Sequence, residues 1–204
     1  YTPGTKLLAG SQERRAPASR LEIVPFGTFT DSNAWDIKTD SYLEVRYAKP
    51  GGAASWNIGY IKYSETRDFW VYEFNSTGGG YTLLDGDKLA KTEASVAYAS
   101  LVLALPGKNF SYYAFGGPAF VSYDYSESGA ATLDTVVYFP YSSTPSVTNF
   151  NAKKSGTAAS WIAGLGFAVR ADSGLGVFGE YKHMPASGIF PGFDNMGLGF
   201  SFGF

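Results

Sequence analysis

The C-terminal stretch alternates strictly between large apolar and small residues. From Met196 onward, apolar side chains occupy every second position to Phe204, and glycine or serine fills the positions between them. Because side chains on a β-strand point alternately to opposite faces, this pattern predicts a strand with one bulky apolar face and one nearly bare face. In water, such a strand at a sheet edge promotes aggregation. In a barrel closed within lipid, the apolar face meets acyl chains, the small face leaves room in a narrow lumen, and closure removes the edge.

The composition is compatible with such a barrel. The chain of 204 residues has room for one domain, and its 25 Gly, 15 Tyr and 16 Phe suit a wall with aromatic girdles. The 16 basic and 18 acidic residues give no reason to expect nucleic-acid binding. Cysteine is absent, and no apolar run approaches the roughly 18 residues of a transmembrane helix. Because no signal peptide is visible at Tyr1, we expect a mature chain whose export signal has been removed.

Alternation recurs along the chain and predicts about eight strands between residues 19 and 204. We therefore expect an all-β fold, a closed antiparallel up-and-down transmembrane barrel. In the second predicted strand, Leu43, Val45 and Tyr47 share one face, whereas Glu44 and Arg46 share the other. Residues 1–18 lack periodicity and are expected to form a polar tail. Tight turns alternate with longer connections, and long loops are expected near residues 64–90 and 126–155, the first containing a hairpin that extends the wall.

Two prolines interrupt predicted strands. Pro25 lies in the first strand, where Ile23, Gly27 and Phe29 are assigned to one face, and Pro118 lies in the fifth. Because proline has no backbone N–H to donate, each is expected at an irregularity of the barrel wall.

Strand alternation, alternating turn lengths and a final strand ending in Phe204 resemble the small outer-membrane barrels of the OmpA and OmpX type. The resemblance covers about residues 19–204 and is architectural. It implies a bacterial outer membrane, both termini on the periplasmic side, contact with lipid and lipopolysaccharide, and no cofactor. In those proteins the barrel-assembly machinery reads a C-terminal aromatic strand, so the resemblance assigns that signal to Phe200, Phe202 and Phe204.

Charged side chains lie on the predicted inward faces of several strands. We expect a lumen charge network from these residues: Arg20, Glu22, Glu44, Arg46, Arg170, Glu180 and Lys182. A barrel of about eight strands has an interior just wide enough for side chains, and an unpaired buried charge is costly. The near-balance of signs therefore predicts salt-bridged packing in preference to an open pore. A gated channel or a proton path is the functional alternative.

One segment carries a possible set of catalytic groups. His183 is the only histidine, which excludes a multi-histidine metal site, and no metal is expected. The segment from Tyr181 to Asn195 resembles part of the lipid A deacylases, outer-membrane barrels with a Ser–His–acid triad. The resemblance implies His183, Ser187 and Asp194 as the triad. In that family the serine lies two residues after the histidine, where this chain has proline, and the acid is a glutamate. Because nucleophile and base must lie within hydrogen-bond reach, we expect no enzyme, with a deacylase-like hydrolase as an alternative.

Aromatic side chains are concentrated in the long connections: Phe69, Trp70, Tyr72, Phe74, Tyr138, Phe139 and Tyr141. Exposed aromatics on a rigid scaffold suit contacts with a partner protein, a glycan or lipid head groups, although connections that pack on themselves give the same composition. We therefore expect a non-enzymatic barrel with a surface-interaction or envelope-structural role, alone or within a surface assembly.

Two further alternatives remain open from sequence. A narrow channel for small hydrophobic molecules would need a lateral opening in the wall. A soluble ligand-binding barrel of lipocalin type would keep its apolar residues inside.

Overall fold

The computed structural model describes residues 19–30, 36–49, 54–106, 110–171, 174–188 and 190–204. These residues form eight antiparallel strands, each hydrogen-bonded to its neighbours in sequence, and β8 pairs with β1 to close a barrel. The strands are β1 (Arg20–Thr30), β2 (Asp36–Lys49), β3 (Ala54–Thr77), β4 (Gly80–Pro106), β5 (Phe110–Tyr138), β6 (Tyr141–Arg170), β7 (Leu175–Met184) and β8 (Phe193–Gly203). Within the described ranges, no helix is long and apolar enough to cross a bilayer. The expected tail over residues 1–18 lies outside them.

The barrel closes where the chain begins and ends. β1 and β8 pair from Arg20 opposite Gly203 to Thr30 opposite Asp194. Beyond this ladder, Ser19 N donates to Phe204 O at 3.3 Å, and Phe204 N donates to Ser19 O at 3.1 Å. Every strand therefore has two hydrogen-bonded neighbours over part of its length. This confirms the fold class predicted from alternation.

The outer wall carries the apolar residues that the alternation placed on one face of β2 and of the C-terminal stretch. Phe200 is 46% exposed and Trp161 48% exposed, whereas Glu44 is 0% and Arg46 2% exposed. From Met196 at 56% exposed to Phe204 at 70% exposed, every second residue of the C-terminal stretch is large, apolar and outward-facing. A water-soluble barrel of lipocalin type has the opposite arrangement.

Both prolines lie at irregularities, as predicted, but the first has a consequence that the pattern missed. The β1–β8 register shifts between Ile23 and Phe26, the interval that contains Pro25. After this shift the faces of β1 exchange, so Phe29 is 6% exposed and Phe26 is 68% exposed. The assignment of Phe29 and Gly27 to the face of Ile23 is therefore wrong. At Pro118, the β4–β5 pairing is interrupted between Ala119 and Gly116.

Aromatic rings also fill the lumen, where only charge and glycine were expected. Tyr98, Phe115 and Phe178 are all at most 5% exposed. Each lies over an inward-facing glycine of a neighbouring strand. A Cβ added to Gly59 would lie 2.3 Å from the Tyr98 ring, and one added to Gly164 would lie 2.4 Å from the Phe115 ring. The bare faces of the strands therefore receive the rings of their neighbours instead of leaving empty space.

The four central strands extend well beyond the others. The residues expected as loops near 64–90 and 126–155 form strands instead. The exceptions are the short turns between β3 and β4 and between β5 and β6. The second turn is flanked by the paired residues Tyr138 and Tyr141. In the described chain, β2 pairs with β3 only as far as Asp68, and β7 pairs with β6 only as far as Ala163. Past those points β3–β6 continue as an open four-stranded sheet, which we call the projecting sheet. From Asp68 to Thr77 it extends roughly 30 Å along the strand, at about 3.3 Å per residue.

Candidate functional site

The lumen contains a cluster of ion pairs centred on the Arg46 guanidinium. Arg46 Nε lies 2.7 Å from Glu22 Oε2, and Nη2 lies 2.7 Å from Glu180 Oε1. The three side chains come from β2, β1 and β7, so the cluster links strands on both sides of β8. All three side chains point into the lumen from strands in which the residue type alternates, and this alternation alone identified them.

Lys182 completes this cluster. Its Nζ lies 2.7 Å from Glu44 Oε2 and 3.1 Å from Glu180 Oε2, and the Lys182 and Glu44 side chains are fully buried. Tyr98 and Tyr42 donate hydroxyl hydrogen bonds to Glu44, the latter at 2.9 Å. Three carboxylates and two cations thus form one connected network. Five of the seven predicted lumen charges are brought together in it.

The other two predicted lumen charges lie nearer the chain termini. Arg20 and Arg170 are half-buried at the end of the lumen where β1 begins and β6 ends. Both line a small cavity together with Arg46 and Glu22. Neither forms an ion pair with another described residue.

A second cluster near the opposite end of the lumen was missed by sequence reasoning. Arg67 Nη2 lies 2.6 Å from Glu65 Oε1 and donates a 3.3 Å hydrogen bond to the carbonyl of Gly192. Beside it, the Tyr63 and Phe193 ring centroids lie 5.3 Å apart, and those of Tyr63 and Phe29 lie 4.9 Å apart. The signal was available, since Glu65 and Arg67 alternate as Glu44 and Arg46 do. The pair was not predicted to face the lumen, because the sequence predicted a loop in this segment.

The residues of the possible triad are only partly brought together. His183 Nδ1 lies 2.8 Å from Asp194 Oδ1, and the Tyr181 hydroxyl donates to the same oxygen at 2.6 Å. Ser187 Oγ, however, donates a 2.8 Å hydrogen bond to the Ala159 carbonyl. Within the described chain, no hydrogen bond joins Ser187 to His183. The arrangement therefore pairs acid and base without engaging the serine as a nucleophile.

Five rings on one face of the projecting sheet form what we call the aromatic strip: Trp70, Tyr72, Phe74, Tyr81 and Tyr138. Ring centroids are separated by 5.5 Å between Trp70 and Tyr72, 5.6 Å between Phe74 and Tyr81, and 6.3 Å between Tyr81 and Tyr138. Trp70 is 64% exposed and Tyr72 57% exposed. Phe74 and Tyr138 are each 53% exposed, whereas Tyr81 is less exposed because it packs between these two rings. The strip is therefore a preformed apolar surface in contact with solvent.

The other predicted contact aromatics have different positions. Phe139 and Tyr141 lie at the tip of the β5–β6 hairpin and are 93% and 76% exposed. Phe69 is partly buried, with Lys88 Nζ 5.3 Å from its ring centroid. Phe69 alternates with Trp70 and Tyr72 along β3, so it lies on the opposite face of the sheet.

Negative charge surrounds the aromatic strip. The tip of the sheet, residues 70–87 and 132–149, contains four carboxylates and neither lysine nor arginine. By strand register, Asp85, Asp87 and Asp134 share the face of the strip. Glu73 alternates with Tyr72 and Phe74, so it lies on the opposite face. The Trp70 indole N–H donates a 2.7 Å hydrogen bond to Asp85 Oδ1, which fixes the ring against the sheet. Aromatic faces and carboxylates together favour cationic groups.

Closer to the barrel, a cluster of three polar side chains links β4 and β5, the central strands of the sheet. Lys88 Nζ lies 3.2 Å from Glu127 Oε1, and the Tyr125 hydroxyl donates to the same oxygen at 2.5 Å. The hydrogen bond from Tyr125, followed by Lys88, lowers the pKa of Glu127 despite partial burial. Burial, together with the hydrogen bond to Glu127, raises the pKa of Tyr125. This group helps to hold the base of the projecting sheet in register.

The comparisons with known proteins identify the fold. No protein-family model and no curated protein sequence matches the chain. The N-terminal β-barrel domain of Pseudomonas aeruginosa OprF is similar in structure, with a TM-score of 0.50, 10% identity, and coverage of 93% of this chain and 100% of that domain. Ail, the attachment invasion locus protein of Yersinia pestis, gives a TM-score of 0.48 at 12% identity, over 93% of this chain and 99% of Ail. Ail in complex with the heparin analogue sucrose octasulfate gives 0.47 at 14% identity, over 91% and 97% of the two chains. The chain has the eight-stranded fold of the small outer-membrane β-barrels.

Proposed function

We propose that this chain is a non-enzymatic barrel of the bacterial outer membrane that binds a partner through its projecting sheet. The observation that carries the proposal is the aromatic strip, an exposed apolar surface held on a rigid sheet beyond the barrel. Rigid aromatic side chains lose little conformational entropy on binding and are enriched at the centres of interfaces.

The membrane location is supported by the outward apolar residues of the barrel. Leu103, Leu165 and Leu198 come from three different strands and are 56%, 64% and 58% exposed. Exposing such a continuous apolar band to water is unfavourable, whereas facing acyl chains it is stabilising. With the projecting sheet outside the cell, both termini lie on the periplasmic side. Lipid and lipopolysaccharide then surround the wall, and the assembly machinery would read Phe200, Phe202 and Phe204.

The packed lumen supports a binding role over conduction. The cluster around Arg46 and Lys182 crosses the lumen at one level, and the cluster around Arg67 crosses it at another. Both are packed against buried rings. Moving an ion through either level would require breaking buried ion pairs, which is unfavourable.

The wall gives little support to a lateral route for hydrophobic molecules. A groove of about 610 Å³ lies on its outer surface, lined by Phe26, Leu165, Met196 and their neighbours. Beneath it, the ladders of β6–β7, β7–β8 and β8–β1 are continuous except at the register shift in β1. The groove is therefore better suited to hold an acyl chain of the surrounding lipid.

The hydrolase alternative is also less well supported. A serine nucleophile needs a base within hydrogen-bond reach, but the Ser187 hydroxyl is engaged by the Ala159 carbonyl. If incubation with lipopolysaccharide releases fatty acid, and the His183→Ala variant does not, the non-enzymatic proposal is wrong.

The partner that the strip favours is a protein with a basic surface segment. Three carboxylates share the face of the strip, Asp85, Asp87 and Asp134, and the tip segments contain no lysine or arginine. They attract lysine and arginine side chains and repel sulfated or acidic glycans. The β3 edge beside the strip, Phe69–Thr77, carries no proline or lysine, the residues that commonly protect edges from pairing. The β6 edge has both, at Pro145 and Lys153. An extended basic segment along β3 would satisfy backbone groups and place its cations over the rings.

The proposal is tested with a fluorescent lysine-rich peptide and detergent-solubilised protein, with binding followed by anisotropy. We expect binding that weakens with salt, and at least about tenfold weaker binding when Trp70 and Tyr72 are replaced by alanine. Asp87→Asn should weaken binding further, whereas Asp124→Asn, nearer the barrel, is the matched control. Tighter binding of a glutamate-rich peptide or of a sulfated glycan would contradict the proposal, as would full binding by the Trp70→Ala/Tyr72→Ala variant.

A further inference from the structure

Three arginines meet at the end of the lumen where the chain starts. Arg20 on β1, Arg46 on β2 and Arg170 on β6 line one cavity of about 100 Å³. Ser55, Asn57 and Ser111 contribute polar side chains to the same wall. Such a convergence of guanidinium groups from separate strands is unusual inside a narrow barrel, because like charges repel and buried charge must be compensated.

Two of these guanidinium groups have no paired carboxylate within the described part of the chain. The carboxylates that line the cavity are Glu22 and Glu180. Each is bound to Arg46 at 2.7 Å, and Glu180 also has Lys182 at 3.1 Å. That leaves Arg20 and Arg170 without a carboxylate partner among the residues that the structure describes. The Nε atoms of both are buried and have no hydrogen-bond partner there.

We propose that Arg20 and Arg170 bind a small oxyanion, a single phosphate or carboxylate group, in this cavity. A guanidinium presents parallel N–H donors that match the spacing of two oxyanion oxygens, and two guanidiniums together would satisfy a tetrahedral phosphate. The bound group would supply the negative charge that the wall lacks and would accept hydrogen bonds from the two free Nε–H groups.

The dimensions of the cavity limit the ligand. At about 100 Å³, the cavity is large enough for a small polar group and too small to enclose an extended molecule. This accommodates one phosphate or carboxylate group and excludes a nucleotide or a sugar phosphate as a fully enclosed ligand. The site lies at the opposite end of the barrel from the projecting sheet, so it is independent of the proposed partner binding.

The bound phosphate or carboxylate group has two possible sources. One is free phosphate from solution. The other is the chain itself, because residues 1–18 contain one acidic side chain, Glu13. Both sources use the same chemistry, and a competition experiment separates them.

The test follows the Arg Nε–H signals of the full chain in detergent by ¹⁵N NMR during titration with inorganic phosphate at constant ionic strength. We expect the signals of Arg20 and Arg170 to shift saturably, which chloride alone does not produce. Because each charged hydrogen-bonding group contributes substantially, Arg20→Gln or Arg170→Gln should weaken phosphate binding at least about tenfold. Lys62→Gln, an exposed lysine on the outer wall, is the matched control. Glu22→Gln should tighten binding, since it removes a negative charge from the cavity.

The Glu13→Gln variant identifies the source. Tighter phosphate binding by Glu13→Gln shows that the tail carboxylate occupies the site in the free protein, and unchanged binding shows that the site takes free phosphate. If phosphate produces no saturable shift in either protein, or if the Arg20→Gln/Arg170→Gln double variant, folded by circular dichroism, binds as the parent does, the proposed site is wrong. Neither result bears on the projecting sheet.

Discussion

Removing the Lys182 ammonium should destabilise the barrel strongly. Lys182 Nζ lies within 3.1 Å of both Glu44 and Glu180, and all three side chains are at most 1% exposed. In Lys182→Met, three carboxylates share the Arg46 guanidinium as their sole cation in the described network. Removing one partner of a buried ion pair typically costs about 3–5 kcal/mol, because the remaining charge stays buried without compensation. We therefore expect the free energy of unfolding to fall by about that amount.

The double variant Glu44→Gln/Lys182→Met separates this cause from a loss of packing. It removes the uncompensated carboxylate together with the ammonium, so it should be more stable than Lys182→Met alone, with a coupling free energy of about 1–3 kcal/mol. Lys62→Met is the control, because Lys62 is exposed on the outer wall. The assay is reversible urea unfolding in lipid vesicles, followed by tryptophan fluorescence. A Lys182→Met variant within about 1 kcal/mol of the parent, or a double variant no better than the single one, would refute the reasoning.

Three further predictions concern separate parts of the molecule. Gly59→Ala should lower the free energy of unfolding by about 1–3 kcal/mol, because its Cβ would meet an aromatic ring at 2.3 Å, whereas Gly116→Ala, with its nearest atom at 3.5 Å, should be nearly neutral. The hydrogen bond from Tyr125 and the nearby Lys88 lower the pKa of Glu127 in the folded chain. Ionised Glu127 therefore stabilises the projecting sheet above about pH 4.5, and this stabilisation is lost at lower pH, where amide exchange in the sheet should accelerate. Phe204→Ala should slow insertion by purified barrel-assembly machinery, without slowing unassisted folding in detergent.

Each of these has a contradicting outcome. Equal stability of the two glycine variants would show that the lumen can relax around an added methyl group. If amide exchange in the projecting sheet is no faster below pH 4.5, after correction for intrinsic rates, ionised Glu127 does not stabilise the sheet. Equal assisted insertion of Phe204→Ala and the parent would show that the terminal ring is not part of the assembly signal.

The barrel itself was predictable because alternation is a direct consequence of strand geometry. Glu44 and Arg46 were assigned inward, and the large residues from Met196 to Phe204 outward, from their positions in the sequence alone. The face of Phe29 was not predictable in the same way. Pro25 signalled an irregularity, but the sequence does not say whether an irregularity shifts the register, and a shift of one residue exchanges the faces.

The projecting sheet was missed for a different reason. Residues 126–155 are rich in Ser and Thr and were expected to form a loop, yet they form long strands. Their order comes from pairing with β4 and with each other, which is a property of neighbours and not of local propensity. The convergence of Arg20, Arg46 and Arg170 on one cavity likewise depends on strand stagger, which places three distant positions at one level.

The central claim is that the barrel wall faces lipid while the projecting sheet stands in water. Because the chain contains no cysteine, single nitroxide labels can be placed without background. Labels introduced through Leu165→Cys on the outer wall and Tyr72→Cys on the sheet are compared in vesicles for relaxation by oxygen, which partitions into lipid, and by a water-soluble nickel complex. We predict that oxygen dominates for the Leu165 label and nickel for the Tyr72 label. Strong relaxation of the Leu165 label by nickel, or of the Tyr72 label by oxygen alone, would contradict the orientation on which the proposed function rests.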